Sequence, residues 1–399
     1  MVKYEEVCIM ASPRHMPEGK PGESIICDSA EILTKRNEQQ MKAWLILEDG
    51  RVYQGESVGA EKKTVCEIVF NTSMTGYREL LTDPSYAGQG VVMTYPIIGS
   101  YGICMEDTES RRPWVEAYIV RELNRMDSNF RSEGSLREYL IKNDIPVIQG
   151  IDTRALTKHL RESGTMRGMI TFGESFDMEQ CMKEIKAYTL PETVPTVTCS
   201  QKYFVKSNGN RYNVALLDLG CKRNILMSLV NLGCDVTVYP ANTTAEEILA
   251  AGHDGIMLSN GPGDPKQCGA VIEELKKLIA AKMPIFAICL GHQLIALASG
   301  FDTYKLKYGH RGANHPVKDL KTGRVYITSQ NHGYVVDEKS IDPAIAEMSY
   351  ANVNDGSCEG IRYKNGHVFT VQFHPEACAG PHDAAPLFNQ FFAMMGGKK

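Results

Sequence analysis

The chain has 399 residues, 43% of them hydrophobic and 23% charged, with a formal net charge of -5. That balance excludes a disordered or fibrous chain, no apolar run approaches the roughly 18–20 residues of a spanning helix, and the dispersed basic residues argue against a nucleic-acid partner. Twelve cysteines, with no C-x-x-C pair and no secretory signal, point to free thiols in a reducing cytoplasm.

Residues 1–40 mix acids, bases, Pro and Gly without periodicity and read as a poorly ordered extension, with Met41 a candidate start of the natural chain. From there, residues 43–47, the pair Asp49-Gly50 and residues 51–53 read as strand, turn and strand. Short β-rich runs at 67–70, 90–95 and 117–121 alternate with helical stretches at 135–142 and 153–163, so 41–190 is expected to form a compact α/β domain. Residues 191–211 are rich in Pro, Thr, Ser, Asn and Gly, the composition of a linker. Over 212–397 the pattern turns regular: strands at 213–217, 235–239, 255–258 and 284–288 are separated by helices at 222–232, 244–251 and 271–281. Near-continuous apolar strands alternating with helices predict an α/β fold around a mostly parallel sheet covered on both faces. Ligands gather at the carboxyl ends of such strands, so the functional loops should follow Leu258, Ile288 and Phe373.

The strand at 284–288 runs directly into Cys289-Leu290-Gly291-His292-Gln293 and then a helix at 294–299 closed by Gly300. This is the layout of a nucleophile elbow, in which a sharp strand-to-helix turn needs small neighbours; Ala287 and Gly291 supply them. A cysteine at a helix N-terminus has its thiolate favoured by free N–H groups and the dipole. A strand ending in Phe373 leads into His374-Pro375-Glu376, and alternation along a strand would point His374 and Glu376 the same way. The carboxylate could then orient the imidazole, which is triad logic with a cysteine nucleophile. The loop 259–265 (SNGPGDP) offers closely approaching backbone N–H groups, and the amides of Gly261 and Leu290 are expected to face a developing oxyanion.

Each piece alone has an ordinary structural explanation: a buried Cys as a small hydrophobe, a satisfied histidine, a tight turn. Their joint occurrence in this order, each after a strand, favours catalysis. Cys289 and His292 have a C-x-x-H spacing but no second ligand pair, so no metal is expected and His292 reads as structural. His310, His315 and His332 lie in polar, loop-like segments and also read as structural. No G-x-x-x-x-G-K-[ST] loop is present, so ATP chemistry is not visible.

The runs 287–293 (AICLGHQ), 373–376 (FHPE) and 260–265 (NGPGDP) resemble the class I, triad-type glutamine amidotransferases. In the front half, 70–77 (FNTSMTGY) and 81–86 (LTDPSY), with 150–154 (GIDTR) and 329–334 (SQNHGY), are similar to carbamoyl phosphate synthetase small subunits, so the resemblance runs from about Met41 to the carboxyl terminus. It implies a heterodimer in which the small subunit hydrolyses L-glutamine through a glutamyl thioester. Ammonia then passes through a tunnel to a large subunit that holds ATP and Mg and combines it with bicarbonate, for arginine or pyrimidine synthesis. No cofactor is implied on the small subunit itself. Carried over position by position, Cys289 is the nucleophile, His374 the general base and acid, and Glu376 its orienting partner. Ser73, Gly261, Gly263, Leu290, Gln293, Asn331, Gly333 and Tyr334 would hold glutamine. Two positions depart from the family pattern: Ala287 stands where Gly is common, and Tyr334, where Phe is common, brings a hydroxyl that needs a partner or water. The rival readings are another triad amidotransferase subunit, which the front domain argues against, and a non-catalytic docking or regulatory subunit with an inert thiol.

Overall fold

The computed structural model describes residues 41–377 and 379–396. The forty residues read as an extension lie outside the described residues. The described ones belong to one compact unit.

The front half opens with β1 (Lys42–Leu47) and β2 (Val52–Ser57), antiparallel with Ile46 opposite Val52. Their turn closes through Gly50, whose φ of 88° is the left-handed conformation glycine adopts without a Cβ clash. Then come β3 (Thr64–Asn71), β4 (Gln89–Met93), the short pair β5 (Ile97–Ile98) and β7 (Glu122–Leu123), β6 (Ala117–Ile119), β8 (Val147–Gln149) and β9 (Met166–Phe172). Seven of them close into a barrel in the order β1-β2-β8-β6-β4-β3-β9, and β9 pairs back onto β1. Closure removes exposed edges, and it is the feature that the sequence pattern of alternating strands and helices did not disclose. Along the wall, alternate residues enter two different apolar clusters: Ile68, Val92 and Ile119 join one, while Val69, Val91 and Tyr118 join the other. A wall buried on both faces yields apolar runs instead of a clean period of two. Two helices stand where capping chemistry places them. Leu136–Lys142 follows Ser135, whose hydroxyl accepts from the Arg137 N–H at 3.2 Å, and Thr153–Ser163 follows Asp152, which accepts from the Ala155 N–H at 3.0 Å.

The segment read as a linker is structured. It holds a short helix, Val194–Val197, and a strand, β10 (Tyr203–Val205), which pairs antiparallel with a strand of the second sheet. A three-residue aromatic and β-branched strand set among Pro, Thr and Ser is too short to give a period.

The second sheet contains β11 (Tyr212–Asp218), β12 (Cys234–Pro240), β13 (Gly255–Leu258), β14 (Ile285–Ile288), β15 (Thr303–Asp319), β16 (Val325–Val336), β17 (Ala346–Asn352), β18 (Cys358–Tyr363) and β19 (Val368–Val371). With β10 its order is β10-β12-β11-β13-β14-β19-β18-β17-β15-β16. Pairing is parallel from β12 to β19, as the alternation with helices predicts, and antiparallel from β19 to β16. Every residue of β13 and β14 is buried. His310 and His315 lie in β15 and His332 in β16, so the segments expected as loops form a long antiparallel hairpin whose polar and glycine content hides its strand character. Among the described residues no helix is long and apolar enough to cross a membrane.

Side chains of the barrel half reach the parallel sheet. Asp83 accepts from Asn331 Nδ2 at 3.0 Å, Ser85 Oγ accepts from Asn260 Nδ2 at 2.9 Å, and Glu109 accepts from Asn224 Nδ2 at 2.6 Å. These groups are buried or nearly so, where a polar atom left unpartnered would be costly.

Candidate active site

At the carboxyl end of β14 the chain turns sharply into a helix. Cys289 has φ 54° and ψ -106°, and the helix Leu290–Ala298 starts at the next residue, several positions before the start read from the sequence. A non-glycine residue held in such a conformation costs roughly 1–3 kcal/mol, which surrounding structure must offset. Here the Cys289 N–H donates to the Val371 carbonyl at 2.9 Å and the Gly291 N–H to the Ser259 carbonyl at 3.2 Å. Gly291 has no alternative, because a Cβ there would stand 2.7 Å from Leu258 Cβ.

His374 and Glu376 sit past the end of β19, which pairs with β14 through Ile288 and Val371. Cys289 and His374 therefore emerge from neighbouring strands at the same edge of the sheet. The strand stops at Val371, so it is the turn through Pro375 that brings the two side chains together, not strand alternation. His374 Nδ1 lies 2.7 Å from Glu376 Oε1, and His374 Nε2 has no protein partner. Glu376 Oε1 also lies 2.7 Å from the ammonium of Lys222, a buried residue at the head of the Arg223–Asn231 helix. Burial alone would push the Glu376 carboxyl up, but Lys222 and then His374 outweigh it and hold the value down at about 2. Lys222 faces two further acids, Glu109 and Asp83, and stays fully charged despite its burial.

Cys289 is 2% exposed, and its thiol donates to the Asn331 carbonyl at 3.7 Å. Burial, followed by the charges of Asp83 and Glu376, pushes the thiol well above its usual range, overriding the lowering influence of Lys222 and the Leu290 N–H. The helix terminus expected to favour a thiolate is thus outweighed in the free site.

The cavity containing Cys289 is lined by Gly261, Gly263, Gln293, Asn331, Gly333 and Tyr334. The N–H of Leu290, the first residue of the helix, lies close enough to the sulfur to favour its ionised form. Gly261 presents bare backbone because a Cβ would lie 2.2 Å from the Leu219 carbonyl oxygen. Gln293 is anchored by its amide nitrogen to the Tyr334 carbonyl (2.8 Å) and Gln372 (3.0 Å). Burial, then the nearby Asp264 carboxylate, pushes the Tyr334 hydroxyl up to about 12.

Ser73 lines an adjoining cavity with Asp83, Lys222 and His374, and the two cavities share Asn331. The barrel-half serine that lines the Cys289 cavity is Ser85. Glu67, Lys305 and Arg311 line it as well, charged groups that no motif announced.

His292 is fully buried, with Nδ1 2.7 Å from Thr370 Oγ1. On β15, β16 and β18, His310, His332 and Glu359 offer potential ligand atoms within 4.8 Å of one another. These side chains already engage Asp355, Gln330 and Asn352 through hydrogen bonds of 2.8–2.9 Å. Burial alone would lower the His310 imidazole, but Asp355 and Glu359 outweigh it and raise the value from 6.5 to about 9. A value raised on folding contributes stability that is complete below pH 6.5 and lost as pH rises through about 9. Denaturant unfolding across that window should therefore show a decline of at most about 3 kcal/mol that is missing in His310→Gln. A decline of equal size in both proteins would assign the effect to another group.

A family model described as glutamine amidotransferase class-I matches residues 215–394, and one described as the carbamoyl-phosphate synthase small chain CPSase domain matches 45–170. A carbamoyl phosphate synthase small chain from Fusobacterium nucleatum is 52% identical over 347 residues, which is 87% of this chain and 96% of that one. The corresponding protein from Clostridium perfringens is 50% identical over 351 residues, covering 88% and 99%, and one from Bacillus cereus is 52% identical over 355 residues, covering 89% and 96%. With the elbow cysteine, the buried His374–Glu376 pair and this extent of similarity together, the chain belongs to the carbamoyl phosphate synthase small chain family.

Proposed function

We propose that this chain is the glutamine-hydrolysing subunit of a carbamoyl phosphate synthetase, working in the cytoplasm with a large subunit that holds ATP and Mg. The observation that carries the reading is the convergence at one sheet edge of a strained, buried Cys289 and a buried His374 oriented by Glu376. Cys289 Sγ attacks the side-chain amide carbon of glutamine while His374 Nε2 takes the thiol proton. The N–H groups of Gly261 and Leu290 receive the developing oxyanion. His374 then returns the proton to the departing nitrogen, releasing ammonia and leaving a glutamyl thioester. Water, deprotonated by the same imidazole, cleaves the thioester to glutamate and restores the thiol. Ammonia leaves by the adjoining polar cavity past Ser73, Asp83 and Lys222 toward the large subunit, which joins it to bicarbonate. The nine described cysteines are free, which supports a reducing compartment.

The test is to assemble the chain with a carbamoyl phosphate synthetase large subunit and supply amide-labelled glutamine, ATP and bicarbonate. Glutamate and carbamoyl phosphate should accumulate in equal amounts, with the label in the product. Synthesis from free ammonia but not from glutamine would instead support the docking-subunit reading.

A further inference from the structure

We infer that Arg311 recognises the α-carboxylate of the substrate and makes the site selective for a free amino acid over amides that lack that group. The inference rests on the glutaminase reading above. Arg311 stands in β15 directly opposite Asn331, whose carbonyl accepts from the Cys289 thiol, and it lines the same cavity as the sulfur. It is only 4% exposed. Its Nη1 donates to the Tyr308 carbonyl at 2.8 Å, while Nε has no protein partner. The acid that acts on it most strongly, Glu67, is committed elsewhere: to Lys305 at 2.6 Å, to Gln89 at 2.9 Å and to Thr165 at 3.1 Å.

A buried cation that shares its carboxylate, Glu67, with Lys305 and makes no hydrogen bond to it is incompletely compensated, and a bound anion in contact with it lowers that cost. Glutamine carries one anionic group, at the end opposite the amide that must meet Cys289. Of the two cations on the cavity, Lys305 is already spent on Glu67, which leaves Arg311. Its planar fork suits a carboxylate in two-point contact, whereas an ammonium offers a point charge. The local backbone is shaped to admit it. A Cβ at Gly309 would stand 2.5 Å from Nη1, and one at Gly333 would stand 3.3 Å from Nη2. From the barrel half, the Thr72 N–H donates to the Arg311 carbonyl at 3.2 Å and fixes the base of the side chain.

The experiment compares L-glutamine with L-glutaminol, which keeps the side-chain amide and the α-amine but has a hydroxymethyl group for the carboxylate, following ammonia release in the complex with the large subunit. Arg311→Gln should raise KM for glutamine on the order of 10²-fold with kcat within about threefold, and leave KM for glutaminol nearly unchanged. Arg311→Lys, which keeps charge without the fork, should recover part of the lost affinity and serves if the glutamine variant does not fold. An unchanged KM for glutamine, or an equal rise for both substrates, overturns the assignment and leaves a purely structural arginine. Failure of the unaltered complex to release glutamate from glutamine would sink the glutaminase reading itself, and this inference with it.

Discussion

Replacing Cys289 by serine is expected to abolish glutamine-dependent formation of both glutamate and carbamoyl phosphate, while ammonia supplied directly still supports synthesis in the complex. The loss should be on the order of 10³-fold or more, the scale seen when the nucleophile of a concerted catalytic unit is removed. Serine fits the elbow sterically, and its hydroxyl can donate to the Asn331 carbonyl as the thiol does. The defect would therefore be chemical. In the free site the thiol is already held protonated by burial and by Asp83 and Glu376. A hydroxyl in the same surroundings is far harder to ionise and a poorer nucleophile than the thiol. Ammonia-dependent synthesis needs none of these groups, because that chemistry takes place on the partner. If both signals vanish, the residue has a role in assembly; if glutamine hydrolysis persists, the nucleophile is elsewhere.

The central strands and the elbow were legible in sequence for the same reason. β11 to β14 are fully or nearly fully buried, so they appear as uninterrupted apolar runs, and the residues at which the runs end are the functional ones. The barrel was not legible, because its closing contact pairs β1 with β9, more than a hundred residues later, and local patterning carries no trace of such a pairing. The hairpin of β15 and β16 was missed because His310, Arg311, Asn314 and His315 interrupt any apolar period, although His310 and Arg311 are buried. Ser85 and Lys222 show what spacing cannot supply. Ser73 and Ser85 lie in adjacent, equally recognisable motifs, and only folding separates them into two cavities. Lys222, in Cys221-Lys222-Arg223, has the look of the solvated start of a helix, yet it is buried against Glu376.

Lys222→Met is the second substitution with a large expected effect, in both stability and catalysis. Lys222 is a buried cation touching a buried carboxylate at 2.7 Å, with Glu109 and Asp83 close by. Removing one partner of such a pair typically costs about 3–5 kcal/mol, because the other charge stays buried and uncompensated. The Glu376 carboxyl, held at about 2, gives stability that is present above its ordinary value of 4.5 and lost as pH falls through about 2. Without Lys222, burial dominates and the carboxyl shifts upward. Glu376 then orients His374 less firmly, so glutaminase activity should fall while ammonia-dependent synthesis in the folded fraction persists. Glu109 supplies an internal control. Burial raises its carboxyl to about 7 despite the opposing pull of Lys222, and its two oxygens accept from the Asn224 N–H and Nδ2, of which Glu109→Gln can keep one. That single change should cost about 1 kcal/mol for the lost acceptor, and added to Lys222→Met it should cost less or recover part of the lost stability by removing one acid from the cluster. A double-mutant cycle read by denaturant midpoints measures the coupling. If Lys222→Met leaves the midpoint and glutamine hydrolysis near those of the unaltered protein, Glu376 is stabilised by something other than this ammonium.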